Sequence, residues 1–121
     1  MDRKAAMIIR ITGLLQLVLG VIIWMGGADM MIPVHMGIGI VFVLGMWTLG
    51  YRAFAARVAS GLAVVLLLWG GIVLALGMTQ AQIMPGANHG AIQVIHVVVG
   101  LAAMGLSEAV AKRMRVAHER T

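Results

Sequence analysis

The sequence predicts an all-α membrane protein, built as a bundle of four transmembrane helices. Of its 121 residues, 62% are hydrophobic and only 11% are charged, whereas about a quarter of the residues in a soluble domain are charged. The formal charges are also segregated: Asp29 is the only one between Ile11 and Tyr51, and none lies between Val58 and Ser107. A water-soluble globular fold is excluded, because this chain has too few polar groups to cover its surface.

Each of the two apolar tracts is long enough for two spans, since one span needs about 20 apolar residues. We predict spans at about residues 7–25, 30–50, 53–77 and 90–111. The first stops at Gly26-Gly27, and a polar segment that contains Pro85 separates the third from the fourth. The spans must be helices, because lipid offers backbone groups no other partner and the alternation of a membrane strand is missing. Residues 1–121 are predicted to form a single transmembrane domain.

The basic residues predict the orientation of the bundle. If both termini are cytoplasmic, all nine Lys and Arg residues lie at the inner side, and the outer connections contain none. The net charge of +5 then reflects topology rather than a nucleic-acid partner. We expect an integral protein of a bacterial or archaeal cytoplasmic membrane, surrounded by the lipid bilayer. A homo-oligomer is compatible with this prediction.

The two halves of the chain share a spacing of residues. In each half a histidine is followed by a glycine four residues later and by an arginine seventeen residues later. The matching residues are His35, Gly39 and Arg52 in the second span and His96, Gly100 and Arg113 in the fourth. The pattern suggests two duplicated helical hairpins, although chance matches among common Gly and Arg residues explain it as well.

The two spanning histidines are the main candidates for a functional site. An ionisable side chain inside a span is costly and is by default a candidate for function. His35 lies five residues into the second predicted span and His96 about six into the fourth, both counted from the outer end. Two imidazoles at one depth on facing helices can bind an iron porphyrin from both sides. Gly39 and Gly100 lie on the same helix faces as the histidines, where a flat macrocycle could approach the backbone.

In these features the chain resembles the four-helix transmembrane b-type cytochromes. The residues that carry the resemblance are His35-x-x-x-Gly39 and His96-x-x-x-Gly100, and no more specific family motif is matched. The resemblance implies haem b, one-electron transfer and a quinone or redox protein as partner. No Lys or Arg lies at the outer end to meet the haem propionates, so His89 and Gln93 are the predicted contacts there.

Two other functions remain open. His35 and His96 could serve only packing in a non-redox accessory subunit, through an interhelical hydrogen bond. Copper handling is the third hypothesis, because imidazole and thioether sulfur together suit Cu(I). Six methionines fall in the outer half or the outer loops: Met25, Met30, Met31, Met36, Met78 and Met84.

The remaining polar residues give weaker signals. Gln16, flanked by Gly13 and Gly20, predicts a close-packed helix interface. Glu108 is predicted to form a partly buried ion pair with Arg10 or Arg57. No cysteine is present, so Cys-ligated metals and Cys-attached haem are excluded, and no residue set for hydrolysis or phosphoryl transfer is found. The sequence therefore favours an electron carrier or redox subunit over a stand-alone enzyme.

Overall fold

The computed structural model describes residues 2–27 and 29–121, which form an all-helical bundle. The long helices are α1 (Asp2–Trp24), α2 (Met31–Ala55), α3 (Ser60–Thr79) and α4 (His89–Glu119). A single 3₁₀ turn, Gly86–Asn88, precedes α4. All four helices are long and apolar enough to cross a membrane. The predicted fold class is confirmed, and the helices fit an integral membrane protein.

Helix α1 ends where the Gly26-Gly27 pair predicted. Gly26 adopts a left-handed φ of 86°, a conformation that costs glycine nothing. The Gly27 N–H donates to the Ile22 carbonyl at 2.8 Å and the Gly26 N–H donates to the Ile23 carbonyl at 3.1 Å. These bonds form a Schellman motif, which satisfies carbonyls that the helix end would otherwise leave without partners.

The turn between α2 and α3 lies later in the chain than the sequence suggested. Residues 53–55, predicted to open the third span, instead complete α2. The Val58 N–H donates to the Ala53 carbonyl at 2.9 Å and the Arg57 N–H to the Phe54 carbonyl at 3.0 Å. This is a second Schellman motif, but Arg57 holds the left-handed position with φ 56°. The boundary was hard to predict because no glycine marks it.

The helices pack around the bundle in chain order, and α4 returns to contact α1. Helices α2 and α4 face each other across the bundle. Most of the buried core lies in one half, which we call the charged end because the described helix termini there carry the Lys and Arg residues. Its largest fully buried side chains are Met46, Leu49, Leu66, Val43 and Val110. The opposite half, which we call the histidine end, is packed less tightly and contains a cavity.

Large apolar side chains also cover the outside of the bundle. Leu68 of α3 is 67% exposed and Leu14 of α1 is 59% exposed. A soluble protein rarely leaves such a continuous apolar surface open to water. Lipid is the environment in which this surface is stable.

Candidate functional site

His35 and His96 face each other inside the bundle. His35 projects from α2 and His96 from α4, and both side chains are half-buried. Their ring centres lie 6.2 Å apart, with the ring planes tilted by 59°. The sequence predicted two imidazoles at one depth on facing helices, and the structure brings them together.

This separation suits a shared ligand better than direct contact. Two imidazoles that bind one metal from opposite sides have ring centres about 6 Å apart, because each nitrogen lies about 2 Å from the metal and about 1 Å from its ring centre. Nitrogen atoms of His35 and His96 that point at each other would be about 4 Å apart, too far for a direct hydrogen bond. An atom that both nitrogens bind fits this gap.

Neither histidine has the partner that a purely structural role would require. The Nδ1 atoms of His35 and His96 are buried, and within residues 2–27 and 29–121 they have no hydrogen-bond partner. A buried polar atom without a partner costs about 1–3 kcal/mol. The interhelical hydrogen bond of the packing hypothesis is therefore missing between these two rings, which leaves both imidazoles free to bind a ligand.

Two glycines make room for the imidazoles. A Cβ atom on Gly20 of α1 would lie 3.4 Å from Cε1 of His35, and one on Gly77 of α3 would lie 3.7 Å from Cε1 of His96. In each hairpin, then, the first helix presents a glycine to the histidine of the second. A Cβ at either position would be in van der Waals contact with the ring, so a side chain longer than alanine that extends in this direction would push into it.

A repeat of glycines in the sequence is a further signal for this arrangement, and it was not among the predictions. From the sequence, Gly13 and Gly20 predict only a close-packed interface around Gln16, and Gly77 lies near the end of the third predicted span. Gly70 and Gly77 of α3 have the same seven-residue spacing as Gly13 and Gly20 of α1. Together with the spacing of the histidines, this repeat extends the resemblance of the two halves to both helices of each hairpin.

A cavity of about 600 Å³ adjoins the two histidines. Binding sites for small molecules and cofactors usually measure about 300–1,000 Å³ and combine apolar walls with a few polar groups. The walls of this cavity come from all four helices, with apolar residues such as Ile23, Val43, Val73 and Leu74. Its polar residues are Gln16, Gln80, Gln82, His89 and Gln93 besides the two histidines. Gln80 and Gln82, in the connection before α4, were not predicted.

Of the four residues predicted to contact the cofactor, three line the cavity and one does not. His89, Gln93 and Gly39 line the cavity, and Gly100 does not. Among the described residues, no atom of another part of the chain lies within 4 Å of a Cβ built on Gly100, so its helix face is open there. A Cβ on Gly39 would collide with Nε2 of Gln16, so the amide of Gln16 occupies the space over Gly39.

The methionines do not gather around the histidines as a group. Met36 and Met78 line the same cavity as His35 and His96. Met25 and Met30, by contrast, are 84% and 76% exposed. Among the described residues, no cluster of three or more His, Cys, Asp or Glu side chains is arranged to hold a metal ion. Any metal at this site would thus depend on the two facing imidazoles.

Comparisons of the chain with protein-family models, with curated proteins and with solved structures found no match. The geometry of the cavity and its two histidines is consequently the basis for the function proposed below.

Proposed function

We propose that the protein is a membrane b-type cytochrome in which His35 and His96 bind one haem b from its two sides. The observation that carries the proposal is the 6.2 Å separation of two imidazole rings that face each other from α2 and α4. Haem b, when bound there, supplies one-electron transfer.

The residues around the rings fit such a group. The two buried Nδ1 atoms lack partners among the described residues, so the imidazoles are available as ligands. Gly20 and Gly77 leave space beside the rings, and the cavity has mostly apolar walls. His89 and Gln93 line the cavity, where they supply polar groups for the propionate carboxylates of the haem.

The same geometry favours electron transfer over catalysis at the metal. With His35 and His96 both bound to it, a haem would have no position left for oxygen or a substrate. The walls of the cavity are mostly apolar, and the packed core at the charged end holds α2 and α4 together. His35 and His96 therefore act as permanent ligands rather than as acids or bases.

The orientation and the partners belong to the proposal as well. With both termini in the cytoplasm, the histidines lie in the outer half of a bacterial or archaeal cytoplasmic membrane. A single haem at one depth does not cross the bilayer, so a quinone or a redox protein has to exchange electrons with it.

A copper site is the second candidate, favoured by Met36 and Met78, which line the cavity together with the histidines. Thioether sulfur and imidazole nitrogen are a ligand set that Cu(I) accepts. The two candidates differ in a simple observable, because a haem protein is coloured and a Cu(I) protein is not.

The test is the absorption spectrum of the purified protein. The full chain would be expressed with a haem supply, purified in detergent and measured as a dithionite-reduced minus oxidised difference spectrum. We expect sharp Soret and alpha bands, which His35→Ala and His96→Ala should each abolish or shift. His118→Ala is the matched control, because His118 is exposed near the end of α4 and should leave the bands unchanged.

A protein without these bands, even after incubation with haem, would refute the cytochrome proposal. If that colourless protein binds one equivalent of Cu(I), and His35→Ala removes the binding, the copper candidate takes its place. If it binds neither, the histidines serve the structure of an accessory subunit.

A further inference from the structure

A second cavity lies at the charged end of the bundle, between α1 and α4. Its volume is about 230 Å³, and its lining residues are Arg3, Ala6, Met7, Arg10, Ala111 and Arg115. Three of the six are arginines, and they come from two helices. The cavity is at the opposite end of the bundle from His35 and His96, so nothing proposed for the haem site depends on it.

The helical repeat explains how these side chains converge. Arg3 and Arg10 are seven residues apart on α1, and Glu108 and Arg115 are seven apart on α4. Residues at this spacing share one helix face. Small residues, Ala6 and Ala111, lie between them and are buried, so the two helices approach closely and the arginines surround the gap.

The cavity is strongly cationic. The Arg10 guanidinium makes a two-pronged ion pair with Glu108, in which Nη2 donates to Oε2 at 2.9 Å and Nε donates to the other carboxylate oxygen. The sequence predicted a partly buried pair of Glu108 with Arg10 or Arg57; the structure selects Arg10, and both side chains of the pair are exposed rather than partly buried. With Arg3 and Arg115 included, these four side chains carry two more positive charges than negative. The carboxylate of Glu108 does not balance the three guanidinium groups, so the positive charge of these four side chains can attract an additional anion.

The surroundings favour an anion that is attached to apolar chains. One face of α1 carries a stripe of four residues, spaced by four, three and four positions: Arg3, Met7, Arg10 and Leu14. Met7 is 53% exposed and Leu14, one turn beyond the last arginine, is 59% exposed. The two guanidinium groups of the stripe lie toward the helix end, with Met7 between them, and the stripe ends at the exposed apolar side chain of Leu14 within the span. A phospholipid has the same order of polarity, from headgroup phosphate to acyl chain.

We propose that this cavity binds the phosphate of an anionic phospholipid, with the guanidinium groups of Arg3 and Arg115 on the phosphate and an acyl chain along Met7 and Leu14. Arg10, whose Nε and Nη2 bind Glu108, contributes its remaining Nη1 group. Arginine suits this role because its planar fork can donate two hydrogen bonds to one phosphate. Basic pockets between transmembrane helices are established positions for lipid headgroups.

The test is lipid binding by the detergent-solubilised full chain. Native mass spectrometry would count the molecules of phosphatidylglycerol or phosphatidylcholine that remain bound over a concentration series. We expect one tightly retained phosphatidylglycerol per chain. Arg115→Gln should weaken this binding about fivefold, as expected for one basic side chain near a headgroup. Arg113→Gln is the matched control, because it removes the same charge from an exposed position on the same helix outside the cavity.

Four other outcomes would overturn the proposal. Equal weakening by Arg115→Gln and Arg113→Gln would mean that overall charge, rather than the cavity, attracts the lipid. Equal retention of phosphatidylcholine would mean that anionic character is not recognised. Inorganic phosphate that displaces phosphatidylglycerol at millimolar concentration would identify a soluble anion as the ligand. If Arg115→Gln does not fold, Arg3→Gln tests the same site from the exposed start of α1. Unchanged binding of phosphatidylglycerol by Arg3→Gln would then refute the proposal.

Discussion

Replacing Gly70 by alanine should destabilise the bundle, whereas the same change at the next residue should not. Gly70 of α3 faces Trp47 of α2, and a Cβ built on Gly70 would lie 2.6 Å from Nε1 and 3.0 Å from Cδ1 of the indole. A Cβ built on Gly71, in contrast, meets no atom from another part of the described chain within 4 Å. Both residues lie within α3, so the pair isolates the contact from helix propensity.

The size of the destabilisation follows from the displacement of the Trp47 indole and from the hydrogen bond that it loses. Carbon and nitrogen atoms pack comfortably at about 3.5–4.0 Å, so the indole of Trp47 must move by about 1 Å. Its Nε1 donates to the carbonyl of Leu67 at 3.0 Å, and this bond is lost in the movement. Overpacking costs about 1–3 kcal/mol, and an interhelical hydrogen bond in a membrane protein contributes about 0.6 kcal/mol. Both substitutions gain the same helix propensity, which cancels in the comparison. The Gly70→Ala variant should therefore be about 2–3 kcal/mol less stable than the Gly71→Ala variant, from overpacking and the lost hydrogen bond.

The free energy of unfolding would be measured for both variants by reversible titration with sodium dodecyl sulfate in mixed micelles, followed by far-UV circular dichroism. In a Trp47→Phe background, where the indole N–H is absent, the cost of Gly70→Ala should fall, and a double-mutant cycle measures this coupling. Stabilities of Gly70→Ala and Gly71→Ala within about 0.5 kcal/mol of each other would refute the reasoning.

Two further predictions concern the site and the α2–α3 turn. Gly20→Leu should push the His35 imidazole out of position and weaken haem binding about tenfold or more, as expected from the cost of overpacking. Haem titration would measure this, with Gly37→Leu as control because the space around Gly37 is open; equal effects would contradict the role of Gly20. Arg57→Gly should raise the free energy of unfolding by about 1 kcal/mol, because glycine adopts a φ of 56° without strain. Arg57→Ala removes the same charge but keeps the strain, so equal stability of the two variants in the same micelle titration would rule out relief of strain.

Much of the architecture could be predicted because the bilayer restricts what an apolar chain can do. An uncharged tract of sufficient length has to cross as a helix, whatever its detailed sequence. The positions of His35 and His96 along their spans predict a common depth without any knowledge of how the helices pack. The Gly26-Gly27 pair marked the end of α1 by its conformational freedom.

The candidate site was predicted only in part, because depth does not determine rotation. The spacing of four residues put Gly39 and Gly100 on the faces of their histidines, yet Gly39 lies under Gln16 and Gly100 does not line the cavity. The contacts between residues of neighbouring helices depend on how their side chains interdigitate. This packing is determined by two helices together and cannot be inferred from the sequence of either one.

The sequence by itself determined four spanning helices, the segregation of the basic residues and the common depth of two histidines, because each depends on polarity along one dimension. Tertiary structure alone decided the 6.2 Å separation of the two imidazole rings and the positions of Gly20 and Gly77 beside them. It likewise chose Arg10 over Arg57 as the partner of Glu108. These choices depend on the rotation and approach of packed helices, which many long-range contacts determine together.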